Sequence, residues 1–145
     1  MNMIAASTYP SPPAPASEAL AGGAVVSFCG VASAVGADVL RAGGNAADAA
    51  VATALALGVS YPQAASLGGG GFLLYADEAR KAHFLDYREI APRGIRPHHL
   101  RGADGNRTAR AVLGATSAAI PGTVAGLAEL LRRFGTWNWE RVSAA

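Results

Sequence analysis

In a chain of 145 residues, 51% hydrophobic content against only 15% charged residues excludes intrinsic disorder and is consistent with a single globular domain. The formal net charge of +2 has a local origin, since Arg88, Arg93, Arg96, Arg101, Arg107 and Arg110 face only Glu89 and Asp104. That stretch contains no aromatic residue past Tyr87 to stack a base, which argues against a nucleic-acid surface, and the single Cys29 excludes an intrachain disulfide.

Residues 1–22 include Pro10, Pro12, Pro13 and Pro15, with no basic start and no sustained apolar run. They read as a flexible N-terminal tail rather than a secretory signal or a membrane span. As a catalytic thiol Cys29 would need a base nearby, and His83, His98 and His99 are all distant in sequence, so a buried small hydrophobe is expected. From residue 31 to 42 the apolar positions Val31, Ala34, Val35, Val39 and Ala42 recur at helical spacing, and Gly43-Gly44 ends the helix. Asn45 is positioned to cap a second helix, with the Asp48 carboxylate favouring its N-terminus. Residues 49–57 are apolar on nearly every face, which demands burial over most of the surface. Gly58 is expected to close this helix, and Tyr61-Pro62 to prevent its resumption.

The glycine tetrad of residues 68–71 lies between a helix and a strand and is followed by Phe72. A phosphate loop needs the opposite order and a terminal Lys-Ser or Lys-Thr, so close backbone packing is the expectation here. Residues 72–75 and 82–87 read as paired strands around a polar turn at 77–81. Strand alternation puts Phe84, Asp86 and Arg88 on one face and Leu85 and Tyr87 on the other, so Asp86 is expected to orient Arg88. A helical turn at 97–100, an irregular loop at 101–110 and a strand near 112–117 come next. Pro121 then reads as the first turn of a helix whose Val124, Leu127, Leu130 and Leu131 keep helical spacing up to Gly135. Asn138 caps a last helix that breaks off at Ala145.

Within Asp86-Tyr87-Arg88-Glu89-Ile90-Ala91-Pro92 an arginine stands where a strand runs out into a loop. Its planar fork of donors fits a carboxylate at two points, which makes Arg88 a candidate carboxylate-binding residue. A plain salt bridge to Glu89, Asp86 or some distant acid is the competing reading.

Several blocks taken together resemble the N-terminal part of the gamma-glutamyltransferases. They are Gly43-Gly44-Asn45-Ala46-Ala47-Asp48, Ala56-Leu57-Gly58-Val59, Pro62-Gln63, Leu67-Gly68-Gly69-Gly70-Gly71-Phe72, Asp86-Tyr87-Arg88-Glu89 and Pro121-Gly122-Thr123-Val124-Ala125-Gly126-Leu127. Their order and spacing carry the resemblance over residues 22 to 145. It implies an α+β chain, a partial N-terminal-nucleophile hydrolase αββα fold made of N-terminal helices plus a β-hairpin. Residues 23–145 would form a truncated N-terminal segment of the large subunit.

The family's chemistry moves a γ-glutamyl group from glutathione or a γ-glutamyl amide to water, an amino acid or a peptide, with no cofactor and no metal. By resemblance Arg88 grips the α-carboxylate of that group, and Glu89 and Asp86 support it. The family's nucleophile is a threonine freed by self-cleavage of a precursor, whose own amine can act as base. Thr8, Thr53, Thr108, Thr116, Thr123 and Thr136 all lack its sequence context, so no catalytic residue is assigned and the chain alone is expected to be inactive. A second departure is Cys29-Gly30 ahead of Val31-Ala32-Ser33, where the family commonly has a histidine-proline pair.

The implied partners are a γ-glutamyl small molecule such as glutathione, the remainder of the large subunit and the small subunit, without nucleic acid or membrane. The alternatives are a fragment of a related glutaryl or cephalosporin acylase, or a non-catalytic remnant. The leader shows no export signal, which favours the cytoplasm for the chain as written, although members of the family are often periplasmic or secreted.

Overall fold

The computed structural model describes residues 16–20 and 22–145. Strand β1, Ala16–Leu20, pairs antiparallel with β2, Gly23–Ser27, in a register running from Ala16↔Ser27 to Leu20↔Gly23. Residues 16–20 of the expected tail are therefore a strand, and the remainder of that expectation, residues 1–15 and Ala21, lies outside the described residues. Ala24-Val25-Val26 contains the β-branched residues that favour the pairing.

Helix α1, Gly30–Arg41, packs on this hairpin and on α2, Ala46–Ser60. The two helices approach closely because Gly36 has no side chain. A Cβ there would collide with Thr53 Oγ1 and lie 3.0 Å from Val25. Gly43 takes the left-handed φ of +87° expected between the helices. Asn45 caps α2 as expected: its side chain accepts from the Ala47 and Asp48 N–H groups at 2.9 and 3.1 Å, and the Asp48 carboxylate accepts from the Asn45 N–H at 2.8 Å.

Gly58 does not end α2, which runs on to Ser60. A single interior glycine costs only about 1 kcal/mol of helix propensity, whereas Pro62 bars Tyr61 from the helical region and so sets the stop. The burial expected along α2 holds for its first half, where Ala47, Val51 and Ala52 are enclosed; toward the far end Val59 is 85% exposed.

Strands β3, Phe72–Ala76, and β4, Ala82–Asp86, form the expected hairpin, in register from Phe72↔Asp86 to Ala76↔Ala82. Helix α3, Thr123–Phe134, and α4, Trp139–Ser143, pack against α2. Asn138 caps α4 by accepting from the Arg141 N–H at 2.9 Å. The core joins Val39 of α1, Val51 and Ala52 of α2, Leu127 and Leu130 of α3 and Val142 of α4. Among the described residues no helix is long and apolar enough to cross a membrane.

Two further expectations change. Pro121 precedes α3 rather than sitting in it, because the Gly122 and Thr123 N–H groups both donate to the Gly69 carbonyl, at 2.9 and 3.0 Å. Helical bonding then begins with Gly126 N–H to the Gly122 carbonyl. Residues 112–117 are not a strand; short 3-10 turns at Ala109–Ala111 and Ala115–Ser117 flank Gly114, whose φ of +92° is incompatible with extended pairing. Val112 and Leu113 are both exposed, so the alternation a strand requires is absent. The expected helical turn near 97–100 is present at Pro97–His99.

Candidate functional site

The β3–β4 hairpin has two unlike faces. Leu73, Tyr75, His83, Leu85 and Tyr87 turn inward and are half-buried, while Phe72, Leu74, Phe84, Asp86 and Arg88 are exposed, as alternation predicts. Tyr75 stacks on Phe134 at the end of α3, with ring centroids 4.4 Å apart, and the His83 ring lies 4.8 Å from Phe134. His83 Nε2 is 2.8 Å from Asp77 Oδ2, and this contact is the first cause holding the Asp77 carboxyl below its ordinary value, followed by the Lys81 N–H. One end of the hairpin is thereby latched to α3.

The other end holds the Asp86-Tyr87-Arg88-Glu89 segment. Beyond the last strand pair, Tyr87 N–H donates to the Gly71 carbonyl at 3.0 Å and Gly71 N–H to the Tyr87 carbonyl at 3.4 Å. Three residues later Ile90 and Ile120 exchange backbone hydrogen bonds of 3.2 and 2.9 Å. Arg88 and Glu89 therefore sit on a short span held at both sides.

Asp86 acts on Arg88 differently from the expected manner. Its Oδ1 accepts the Arg88 backbone N–H at 3.0 Å, which sets the chain direction rather than the guanidinium. The guanidinium is oriented instead by Glu89, whose Oε2 accepts from Arg88 Nε at 2.9 Å, and by Phe72, whose ring centroid lies 5.7 Å from Cζ. Phe72 in turn stacks on Phe84 at 5.7 Å. The Arg88 side chain is 59% exposed, and its two terminal nitrogens make no hydrogen bond among the described residues. The Glu89 carboxyl is held below its ordinary value by its own backbone N–H first and by Arg88 as well, against partial desolvation. This arrangement leaves the end-on fork of a guanidinium available to an anion.

The close packing expected of the glycine tetrad holds for Gly70 and Gly71, whereas a Cβ on Gly68 or Gly69 would meet nothing nearer than 3.4 Å. A Cβ on Gly70 would lie 2.6 Å from the Tyr87 carbonyl oxygen and 2.7 Å from the Glu89 nitrogen, so only glycine lets loop and strand end meet. The sequence reading missed Phe72 beneath Arg88; the available signal was its register opposite Asp86, two residues before Arg88 on the same face.

Cys29 is buried at the start of α1, where the Ser60 side chain and then the Ala32 N–H hold its thiol below the ordinary value. It is remote in sequence from all three histidines, in line with a packing role. Every described threonine hydroxyl donates internally: Thr53 to Ala49 at 2.8 Å, Thr108 to Leu100 at 3.3 Å, Thr116 to Arg110 at 3.1 Å, Thr123 to Ser66 at 3.1 Å and Thr136 to Asp48 at 2.6 Å. Among the described residues no three His, Cys, Asp or Glu side chains gather as a metal set would. A separate apolar groove of about 1110 Å³ runs between β2, the end of α1 and α2, past Val25, Leu40, Ala50, Thr53, Ala54 and Leu57; Arg88 does not line it.

Residues 32–144 match the family model described as gamma-glutamyltranspeptidase. The chain is 46% identical over 125 residues to the glutathione hydrolase proenzyme of Pseudomonas aeruginosa, covering 85% of this chain and 22% of that protein. Its structure is similar to a gamma-glutamyltranspeptidase from Pseudomonas nitroreducens complexed with L-DON, with TM-score 0.79, 43% identity and coverage of 86% of this chain and 37% of that one. It is also similar to the Helicobacter pylori gamma-glutamyltranspeptidase, with TM-score 0.82, 35% identity and coverage of 88% and 37%. The chain thus spans about a fifth of the length of the curated protein it matches.

Proposed function

Because this chain belongs to the gamma-glutamyltranspeptidase family, we propose that it supplies the carboxylate-binding arm of a glutathione-hydrolysing or γ-glutamyl-transferring enzyme. It corresponds in this reading to the N-terminal part of the large subunit. Arg88 receives the α-carboxylate of the γ-glutamyl group through its two terminal nitrogens. Glu89 holds the guanidinium by Nε, and Asp86 holds the backbone beneath it. The observation that carries the reading is that the Arg88 fork is unpaired at its tip among the described residues while the chain on either side is clamped. A two-point charged contact of this kind contributes about 1.5–3 kcal/mol, enough to select an acidic head group without trapping the product.

No described threonine is set up as a nucleophile: Thr53, Thr108, Thr116 and Thr123 donate to backbone carbonyls, which are not bases, and Thr136 donates to the Asp48 carboxylate, which is buried and already occupied by backbone N–H donors. Acyl transfer would therefore take place at a threonine contributed by the rest of the enzyme, and the isolated chain binds without turning over.

Two measurements test this. Incubation with a chromogenic γ-glutamyl anilide yields no product. Titration with L-glutamate shifts the Arg88 side-chain N–H resonances and the Glu89 and Ile90 backbone amides with an affinity of roughly millimolar or weaker, and the amide shifts disappear in Arg88→Ala. Turnover by the chain, or a glutamate response that survives Arg88→Ala, defeats the proposal. An equal response to glutarate, which lacks the amino-acid head group, would redirect it toward an acylase.

A further inference from the structure

Four glycines from two separate segments converge on one side chain and its carbonyl. A Cβ on Gly122 would overlap the Tyr87 carbonyl, and one on Gly126 would overlap the Tyr87 ring at Cγ and lie 2.5 Å from Cδ1. A Cβ on Gly71 would lie 3.1–3.2 Å from the far edge of the same ring, and Gly70 abuts the Tyr87 carbonyl oxygen at 2.6 Å. Gly126 is an interior position of α3, where alanine is ordinarily the better helix former, so helix propensity gives no reason for glycine here. Burial pushes the Tyr87 hydroxyl up, as expected for a phenol placed in this enclosure.

Resting on the carboxylate-binding role proposed for Arg88, we infer that Tyr87, seated in a socket of Gly70, Gly71, Gly122 and Gly126, is the positioning residue that aims the Arg88 guanidinium. Side chains alternate across a strand, so a ring driven into the socket sends the next side chain to the opposite face, over Phe72. The backbone exchange between Tyr87 and Gly71 sets the height of that residue, and the Ile90–Ile120 exchange prevents the span from twisting. The socket therefore joins the glycine tetrad and the start of α3 to Arg88 without touching a ligand. Recognition geometry of this kind tolerates little displacement, since a shift of about 1 Å can cost on the order of a hundredfold in function.

The test is two-dimensional proton–nitrogen NMR of the full chain, reading the Arg88 Nε–H signal. The Thr136 and Trp137 amides, which donate to Asp48 and lie away from the hairpin end, report the integrity of the fold. Tyr87→Phe keeps the ring and leaves Arg88 Nε–H in place. Gly126→Ala, which displaces the ring, and Tyr87→Ala, which empties the socket, both move Arg88 Nε–H toward the free-arginine position with the Thr136 and Trp137 signals unchanged. In both variants the L-glutamate response weakens about tenfold or more.

An Arg88 signal that stays put in either folded variant overturns the inference and leaves the socket as packing alone. If Gly126→Ala loses the Thr136 and Trp137 signals, Tyr87→Ala decides, and loss of the fold in both overturns the inference as well. A wild-type Arg88 signal that ignores L-glutamate defeats the carboxylate-binding reading instead, while the position of that signal in the variants still decides the socket.

Discussion

Asp48 and Arg88 both carry charge, and the protein handles them in opposite ways. The Asp48 carboxylate is fully buried and accepts from four donors: the Asn45 N–H, the Thr136 N–H and hydroxyl, and the Trp137 N–H. It ties the start of α2 to the turn between α3 and α4, reinforced by Asn45 Nδ2 donating to the Phe134 carbonyl at 2.6 Å. Arg88 is mostly exposed and among the described residues donates a single side-chain bond, to Glu89. A buried charge must have its acceptor capacity filled from within and so becomes part of the frame, whereas a charge kept at the surface on a clamped backbone retains capacity for something else.

The contrast breaks most easily at Asp48. Asp48→Ala strands several buried donors at once and lowers unfolding free energy by about 3 kcal/mol or more, read from urea denaturation. A loss below about 1 kcal/mol would remove the distinction between the two charges. Asn45→Ala follows, at about 1–2 kcal/mol, because it removes the helix cap and the bond to Phe134 together.

A smaller effect concerns the hairpin tip. The Asp77 carboxyl is held below its ordinary value of 3.8 in the folded chain, chiefly by His83. Its contribution is accordingly complete above that value and is lost as pH falls further through the depressed folded value. Amide exchange at Arg80 and Lys81 should stay slow at pH 5 and quicken below about pH 4 relative to a Asp77→Asn control. Quickening that begins near neutral pH would contradict the assignment.

The smallest expected change in stability is that of Arg88→Ala, within about 0.5 kcal/mol of wild type, although it abolishes the response to L-glutamate. A destabilisation as large as that of Asp48→Ala would make Arg88 part of the frame and collapse the comparison.

Much of this was legible beforehand, and the limits are instructive. Asn45 and Asp48 stand at the spacing of a capping box, a local pattern whose partners lie within one turn, so the start of α2 could be read directly. Alternation likewise placed Arg88 and Tyr87 on opposite faces of the hairpin end. The donors that complete the Asp48 shell come from Thr136 and Trp137, and no local pattern announces them. Residues 112–117 looked like a strand because composition cannot reveal that no partner comes to pair with them. Gly58 looked like a stop because glycine is a weak helix former, but the neighbouring Pro62 imposes the stronger constraint.

At the candidate site, residue type alone singled out Arg88, since few side chains can grip a carboxylate at two points. The Phe72 platform and the glycine socket around Tyr87 arise where segments far apart in the chain meet, so only the folded molecule brought them together.

The amino-acid order by itself determined the helix caps, the two-faced hairpin and the presence of a guanidinium at its end, because these depend on residues within a few positions of one another. Tertiary structure decided which charge is sealed in and which is left open, because burial and hydrogen-bond saturation depend on chain segments that become neighbours only on folding.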